Sequence, residues 1–371
     1  MKRVLFSATV TRHIIRFHIP YLRWFKEHGW ETWVAAKDDS LDGEGEIPFC
    51  DNIVNIDFDR SPFSKQTIVA YHQLRKLFAD NSFNLIHTHT PVGGVLTRFA
   101  ARNARQRGAK IVYTAHGFHF YKGAPVINWM MWYPVERAMS HFTDLLITIN
   151  HEDYERAKRF AHCSVKYIPG VGINLSRFRQ DVDFGSIRRA MDVGEDDFLI
   201  LGVGDLNANK NHRLTISALA DLPQTCKLAI CGTGPERDRL EKLAYDFGVQ
   251  DRVHFLGYRH DVPELMASAN CLAFPSMREG LPVSIMEAMA AGLPIIASSI
   301  RGIDPDLIQN QKNGLLLKSN SVEEMVQSIS LLMNDRDLCS RLASQARSDV
   351  LRFESSNLVS SMVDAYTEIL S

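Results

Sequence analysis

The chain has 371 residues, of which 45% are hydrophobic and 23% are charged, and its formal net charge is −1. These values predict a globular protein of two domains, and they exclude the strongly basic surface of a nucleic-acid-binding protein. Neither a signal peptide nor a membrane-spanning helix is expected, because the apolar runs are too short. The six cysteines lack metal-ligand spacing, so we expect free thiols in a cytoplasmic protein.

Short apolar segments alternate with helical patterns along the first half of the chain. The predicted strands are 3–8, 32–36, 84–89, 110–115, 144–149 and 165–169. The predicted helices are 20–29, 64–79, 92–107 and 152–161. Apolar strands that alternate with helices form parallel sheets through right-handed crossovers, so this half is predicted to be a doubly wound α/β domain.

The same alternation resumes after a polar, glycine-containing stretch at 169–186. The second set of predicted strands is 198–204, 226–232, 253–257, 271–275 and 293–298. The predicted organisation is a first domain of residues 1–180, a second of residues 181–352, and an amphipathic helix within residues 353–371. In such folds, ligands bind at the carboxyl ends of the strands and in the cleft between domains.

Two strand ends in the second domain carry residues suited to a phosphate-bearing ligand. In "GVGDLNANKNH", a strand runs into Gly204, and Asn209 and Lys210 open the following helix. A lysine there can neutralise a diphosphate with help from the helix dipole, although a solvated lysine at a helix start is equally compatible with this stretch alone. In "CGTGPERDRL", Gly232 and Gly234 permit close backbone approach.

A third junction, "LGYRHDVPELMASAN", places Tyr258 and Arg259 where a nucleoside base can rest. Asp261 follows immediately before a predicted helix. We expect Asp261 to cap that helix rather than to bind ligand.

The fourth junction, "REGLPVSIMEAMAAG", carries two glutamates around a predicted helix start. Pro282 fits the first helical turn and Gly292 its end. A diphosphate is expected at the helix N-terminus, with Glu279 and Glu287 accepting hydrogen bonds from sugar and ribose hydroxyls. The alternative is a surface Glu279 and a merely solvated Glu287, which is unfavourable for Glu287 inside an apolar helix. The expected backbone contacts are Gly280, Leu281, Pro282, Val283 and Ser284.

These motifs resemble those of the retaining GT-B glycosyltransferases of family four. The stretch "REGLPVSIMEAMAAGLPIIAS" is similar to the Glu-x7-Glu motif of that family, and "GVGDLNANK", "CGTGP" and "FLGYRHDV" precede it in the family's order. The resemblance implies two Rossmann-like domains facing a cleft, with the last helix crossing back to the first domain. It also implies retention of configuration without a metal ion or an enzyme nucleophile.

Carried over by residue, the resemblance assigns Glu279 to the donor sugar, Glu287 to the ribose and Lys210 to the diphosphate. His116 of "AHG" would face the transferred sugar, so Lys210, Glu279 and His116 are the expected catalytic residues. One position departs from the family pattern, because Asp205 stands where many relatives have an arginine. Arg278 and Arg213 are the candidates to replace that charge.

The first domain is expected to bind the acceptor. Its candidate contacts are His13, His18, His89, Thr90 and His119. The His13-x4-His18 spacing fits either acceptor contacts or two helix-surface histidines. The stretches 16–26 and 116–142 mix aromatic, methionine and basic residues, which fits peripheral contact with the cytoplasmic face of a membrane, or else simple packing.

The expected function is transfer of a hexose or N-acetylhexosamine from a nucleotide diphosphate sugar, most simply a UDP-sugar, to a glycan or polyprenyl-linked acceptor. A UDP-N-acetylglucosamine epimerase of the same fold is the second hypothesis. It lacks support because no acid–base carboxylates stand apart from Glu279 and Glu287. A non-catalytic nucleotide-sugar-binding protein is the third, and the presence of Lys210, His116 and both glutamates argues against it.

Overall fold

The computed structural model describes residues 1–39, 46–59, 61–178 and 184–371, and in it the chain forms two compact units. The first is Met1–Val171 together with Ser355–Ser371, and the second is Gly172–Glu354. The domain boundary predicted near residue 180 lies outside the described residues.

The first unit is a seven-stranded sheet with order β3-β2-β1-β4-β5-β6-β7, in which every pairing is parallel. Its strands are β1 (Arg3–Val10), β2 (Glu31–Lys37), β3 (Asn52–Asn55), β4 (Leu85–His89), β5 (Lys110–Ala115), β6 (Leu145–Thr148) and β7 (Ser164–Tyr167). Its helices are α1 (Thr11–Phe17), α2 (Ile19–Glu27), α3 (Lys65–Asp80), α4 (Pro91–Ala100), α5 (Arg102–Gln106), α6 (Val126–Ser140), α7 (His151–Phe160) and the last helix of the chain, α15 (Ser355–Leu370).

Helix α15 packs on the first sheet through an apolar face. Tyr366 is fully buried against Tyr21 and Phe25 of α2. Its hydroxyl is hydrogen-bonded to Nδ1 of His87 at 2.6 Å, and His87 Nε2 lies 2.8 Å from the Thr114 hydroxyl. Both nitrogens of this buried histidine are therefore satisfied by the fold.

The second unit is a six-stranded parallel sheet with order β10-β9-β8-β11-β12-β13. Its strands are β8 (Phe198–Val203), β9 (Cys226–Cys231), β10 (Val253–Gly257), β11 (Cys271–Phe274), β12 (Ile295–Ser298) and β13 (Leu315–Leu317). Its helices are α8 (Phe184–Arg189), α9 (His212–Leu219), α10 (Arg237–Asp246), α11 (Val262–Ser268), α12 (Val283–Ala291), α13 (Val322–Asn334) and α14 (Arg336–Asp349).

The predicted fold class is confirmed: two doubly wound α/β sheets, with the last helix on the first. Some details differ from the prediction. β3 and β13 were not predicted, and the single helix predicted at 92–107 is interrupted at Ala101 between α4 and α5. None of the helices in the described part of the chain combines the length and apolarity needed to cross a bilayer.

Candidate active site

Four loops meet at the carboxyl edge of the second sheet. They follow β8, β9, β10 and β11, which are adjacent in the order β10-β9-β8-β11. The predicted donor-binding junctions are therefore neighbours in space, because parallel strands present their carboxyl ends at one edge.

Backbone hydrogen bonds join the first three loops. Gly204 N donates to Cys231 O at 3.0 Å, and Gly232 N donates to Gly257 O at 2.8 Å. Gly232 has φ +153, and a Cβ atom there would stand 2.0 Å from Gly204 O. Gly234 is equally close to its neighbour, with a Cβ position 2.4 Å from Leu206 O. Glycine is required at both positions by the approach of one loop to the next.

The loop after β8 is fastened to the turn after β11 through its asparagines. Met277 N donates to Asn209 O at 2.8 Å, and Asn209 Nδ2 donates to Arg278 O at 2.9 Å. Asn211 Nδ2 donates to Pro275 O at 3.2 Å. Asn209 was predicted to bind the donor. Its side-chain amide instead donates a hydrogen bond to the turn that carries Glu279.

Lys210 and Glu279 meet in this fastened region. Lys210 Nζ lies 2.6 Å from Glu279 Oε1, and the two side chains retain only 19% and 13% of their exposure. The ammonium also lies 4.7 Å from the centre of the Phe274 ring. The side chains predicted to hold two different parts of a donor thus form an ion pair with each other.

Helix α12 begins directly after this turn. Pro282 is its N-cap residue, with φ −74 and ψ 119, and not a residue of its first turn as predicted, because its ψ is still extended. Gly292 ends the helix in the left-handed conformation with φ +68, as predicted. Leu281 is buried, while Gly280 and Ser284 are half-buried.

Glu287 is half-buried in the second turn of α12. Burial raises the pKa of the Cys231 thiol, and the Glu287 carboxylate is among the charges that raise this pKa further. Glu287 is therefore within electrostatic range of the end of β9.

Tyr258 and Arg259 lie at the outer side of this edge. The Tyr258 side chain is 71% exposed. Arg259 Nε donates to Asp261 Oδ1 at 2.7 Å, and this guanidinium lowers the pKa of the Asp261 carboxyl. Asp261 is the N-cap residue of α11, but its side chain makes no capping hydrogen bond within the described residues. The predicted capping role was wrong, because the carboxylate is paired with Arg259 instead.

Arg301 is a residue that the sequence reasoning missed. It is 8% exposed, and its Nη2 donates to Glu279 O at 3.0 Å. The next residue, Gly302, passes so close that a Cβ would stand 1.9 Å from Gly280 O. Arg301 and Gly302 therefore contact the backbone of the turn at Glu279 and Gly280 and hold it in place. An arginine followed by glycine just after a buried strand was the available signal.

Asp205, at the position that departs from the family pattern, is exposed. The two arginines considered as replacements, Arg278 and Arg213, are exposed as well. Arg301 is the buried cation of this edge that touches the Glu279 turn.

In the first unit, four of the predicted residues form one cluster, which we call the histidine cluster: His13, His18, His89 and His116. They come from α1, the junction of α1 and α2, the end of β4 and the residue after β5. One ring nitrogen from each residue lies within 4.8 Å of those of the other three. His18 and His89 stack at 3.8 Å between ring centres, and His116 Nε2 lies 3.3 Å from His89 Nδ1.

The cluster is a neutral, nitrogen-rich site. Burial and, to a smaller extent, the charge of Arg16 lower the pKa of His13 to about 4. Burial and the neighbouring imidazoles lower the pKa values of His18, His89 and His116 well below the ordinary value. The rings therefore carry lone pairs rather than charge at neutral pH. No metal site was expected from the sequence, but these side chains are a set that can hold one.

The other two predicted acceptor contacts lie outside the histidine cluster. Thr90 has φ +64, and its hydroxyl is hydrogen-bonded to the Thr9 hydroxyl at 2.7 Å. His119 stacks on Trp132, with ring centres 4.7 Å apart.

Comparison with known proteins adds to this geometry. The family described as Glycosyl transferase 4-like matches residues 3–150, and the family described as Glycosyl transferases group 1 matches residues 183–349. A Bacillus subtilis (strain 168) protein named "Putative glycosyltransferase EpsD" is 40% identical over 373 residues, which span 99% of this chain and 96% of the relative. An Escherichia coli UDP-Gal:alpha-D-GlcNAc-diphosphoundecaprenol alpha-1,3-galactosyltransferase is 27% identical over 71% of this chain and 70% of its own.

Solved structures show the same fold. Anabaena HepE, crystallised with UDP and glucose, aligns with a TM-score of 0.81 at 20% identity, covering 99% of this chain and 100% of that one. Sucrose-phosphate synthase from Thermosynechococcus elongatus aligns with a TM-score of 0.80 at 20% identity, over 100% and 99% of the two chains. With full-length similarity to a relative at 40% identity and a matching family model in each half, this chain belongs to the group 1, family four glycosyltransferases of the GT-B fold.

Proposed function

We propose that the protein transfers a hexose or N-acetylhexosamine from a UDP-sugar to a glycan or polyprenyl-diphosphate-linked acceptor, in the synthesis of a cell-surface polysaccharide or glycan. The family supports the transferase activity. The name of the Escherichia coli relative includes a UDP-galactose donor and a diphosphoundecaprenol acceptor, and HepE binds UDP in its crystal structure.

The observation that carries this proposal is the contact between Lys210 and Glu279 beside the start of α12. The glutamate neutralises the lysine in this ion pair. An arriving diphosphate replaces the carboxylate at Nζ, and backbone N–H groups at the start of α12 donate hydrogen bonds to its remaining oxygens. Glu279 is then released to accept hydrogen bonds from the sugar hydroxyls. Binding and orientation of the sugar are coupled through one ion pair.

The other donor contacts follow from the same placement. Glu287 accepts hydrogen bonds from the ribose, near the end of β9. The exposed ring of Tyr258 and the guanidinium of Arg259 flank the base. The loops beneath the diphosphate approach one another closely because they carry glycine at positions 204, 232 and 234. The Asn209 amide holds the turn that carries Glu279 in position.

We propose that diphosphate binding is independent of metal. Lys210 and the backbone N–H groups between Gly280 and Ser284, apart from Pro282, which has none, supply the positive potential that a divalent cation supplies in other enzymes. The sugar keeps its anomeric configuration through attack on the face from which the diphosphate leaves, with a β-phosphate oxygen accepting the acceptor's proton. His116 contacts the transferred sugar.

Acceptor binding is proposed for the carboxyl edge of the first sheet. His13, His18, His89 and Thr90 lie there, and His119 lies on the segment that follows β5. The polar groups at this edge suit the hydroxyls of a glycan.

We further propose that α6 contacts a membrane surface. Trp129, Trp132 and Tyr133 pack on an apolar cluster within the first unit, so these aromatics belong to its core. Three other side chains of the helix face solvent instead, namely Val126 (73% exposed), Ile127 (56%) and Met130 (69%). Such an apolar face suits insertion at the level of lipid headgroups.

Vesicle sedimentation tests the membrane contact. The triple substitution of Val126, Ile127 and Met130 by serine is expected to reduce cosedimentation with anionic vesicles, whereas Ile68→Ser, at an exposed position of α3, is not. Equal binding by both variants would refute the contact.

Donor turnover and product configuration test the transferase proposal. The wild type is incubated with UDP-sugars and a polyprenyl-diphosphate N-acetylhexosamine, and the anomeric proton of the product is followed by NMR. Glu279→Gln is expected to lower kcat about 100-fold or more without weakening UDP binding, because the carboxylate acts on the sugar and competes with the diphosphate for Lys210. An inverted product, or full turnover by Glu279→Gln, would overturn the assignment.

A further inference from the structure

The histidine cluster has the composition of a transition-metal site. Its four side chains offer only imidazole nitrogens, and one nitrogen from each lies within 4.8 Å of those of the other three. Tetrahedral zinc with Zn–N distances of ~2.0–2.1 Å places its ligand nitrogens roughly 3.3–3.4 Å apart. The observed 3.3 Å between His116 Nε2 and His89 Nδ1 matches that spacing.

Several of these nitrogens are buried without a hydrogen-bond partner. Among the described residues this applies to His13 Nε2, to both nitrogens of His18 and to His89 Nε2. His18 is 2% exposed and His89 is fully buried. Buried polar atoms in native proteins almost always have a partner. Unpartnered nitrogens on three of four side chains whose ligand atoms lie within 4.8 Å of one another therefore indicate a place for a ligand.

His87, in the same core, is a buried histidine whose two ring nitrogens both have hydrogen-bond partners. Its ring lies 4.1 Å from that of His89, but both of its nitrogens are already engaged by Tyr366 and Thr114. The fold supplies partners for both nitrogens of this histidine, whereas His89 Nε2 and both nitrogens of His18 have none among the described residues. The difference singles out the histidine cluster, and not histidines of the core in general.

We propose that the histidine cluster binds one Zn²⁺ ion, or a divalent transition-metal ion of similar ligand preference, through His13, His18, His89 and His116. A set of four nitrogens without a carboxylate suits zinc and not Mg²⁺ or Ca²⁺, which take oxygen ligands. Four protein ligands fill a tetrahedral shell, so the ion is structural and fixes α1 against the ends of β4 and β5.

This site is separate from the metal-free diphosphate site proposed above. It bears on that function at one residue, because coordination through one nitrogen of His116 fixes its ring and leaves the other nitrogen to face the transferred sugar. A polar pocket for acceptor hydroxyls is the competing use of the same nitrogens, and it predicts that no metal is retained.

Metal content measures the site directly. The full-length protein, purified without a polyhistidine tag, is equilibrated with ZnCl₂, dialysed against metal-free buffer and analysed by ICP-MS. About one zinc per chain is expected for the wild type and for His72→Gln, at an exposed position of α3. His18→Gln and His116→Gln are expected to lose it. Substoichiometric zinc in the wild type, or unchanged zinc in both cluster variants, would overturn the proposal.

Two further readouts cover variants that fail to fold. Co²⁺ bound to the wild type is expected to give the intense visible bands of tetrahedral cobalt, and weak octahedral bands would contradict the proposed shell. Zinc is expected to raise the Tm of the wild type and not that of a folded His18→Gln. UDP binding measured on the same samples keeps the two proposals apart, since zinc removal leaves the second unit's ligands in place.

Discussion

Replacing Gly302 by alanine tests whether the close contact between Gly302 and Gly280 fixes the backbone of the turn that carries Glu279. Gly302 has φ +76, and its added Cβ would stand 1.9 Å from Gly280 O, where real Cβ contacts stay above 3.0 Å. The backbone of the turn must therefore shift by about 1 Å, because neither atom belongs to a flexible side chain.

The magnitude follows from two terms. An alanine held in the left-handed region costs about 1–2 kcal/mol, and overpacking against fixed backbone costs about 1–3 kcal/mol more. Gly302→Ala is thus expected to lower the free energy of unfolding by about 2–5 kcal/mol. Gly248→Ala is the matched control, since Gly248 has φ +66 with no described atom within 4 Å of the Cβ position. It carries only the conformational term of about 1–2 kcal/mol.

Urea unfolding of both variants measures these costs, and calorimetric titration with UDP measures the consequence for the site. Gly302→Ala is expected to weaken UDP binding while Gly248→Ala leaves it unchanged, because only the first displaces the amides at Gly280 and Leu281. Equal destabilisation by the two substitutions, together with unaltered UDP affinity, would refute the role assigned to this contact.

Two more predictions concern the first unit. Arg98 and Glu136 form an ion pair at 2.8 Å with side-chain exposures of 1% and 3%, so Arg98→Met should cost about 3–5 kcal/mol in urea unfolding. Lys242→Met, in an exposed pair, should change stability by less than about 1 kcal/mol, and a similar loss in both would contradict this. Burial lowers the pKa of His87 to about 3, so the unfolded chain, with an ordinary value near 6.5, binds the proton first as pH falls. Stability is therefore lost from pH 6.5 downward, by about 2 kcal/mol at pH 5 from this group, and a slope unchanged in His87→Gln would refute the attribution.

Most of the fold could be predicted from the sequence, because buried parallel strands appear in it as continuous apolar runs. Eleven of the thirteen strands in the described part of the chain were predicted in this way. β3 was missed because it has asparagine at both ends and alternates half-buried with exposed residues, and β13 because it has only three residues. The interruption between α4 and α5 falls at Ala101, and neither glycine nor proline occurs there. Tertiary packing, and not a local sequence signal, therefore separates the two helices.

The site could be predicted only in part. Its motifs are recognised in the sequence because they follow strands, but the contacts between the motifs depend on the order of the strands in the sheet. Lys210 and Glu279 are 69 positions apart, and each was predicted to bind ligand rather than the other. Arg301 contacts the backbone carbonyl of Glu279, so the Arg301–Gly302 pair after β12 marks a position in the sequence but not the residue that Arg301 contacts. The histidine cluster requires β1, β4 and β5 to be adjacent in the sheet, and the sequence does not reveal that order.

The central claim, that Lys210 holds the donor diphosphate without a metal ion, is tested most directly by titrating UDP into the wild type, Lys210→Met and the exposed-lysine control Lys318→Met in the presence of EDTA. A charge-assisted hydrogen bond contributes about 1.5–3 kcal/mol, so Lys210→Met is expected to weaken UDP binding about 10- to 150-fold. Lys318→Met should bind like the wild type. Wild-type UDP binding that disappears in EDTA, or an affinity of Lys210→Met equal to that of Lys318→Met, would contradict the account.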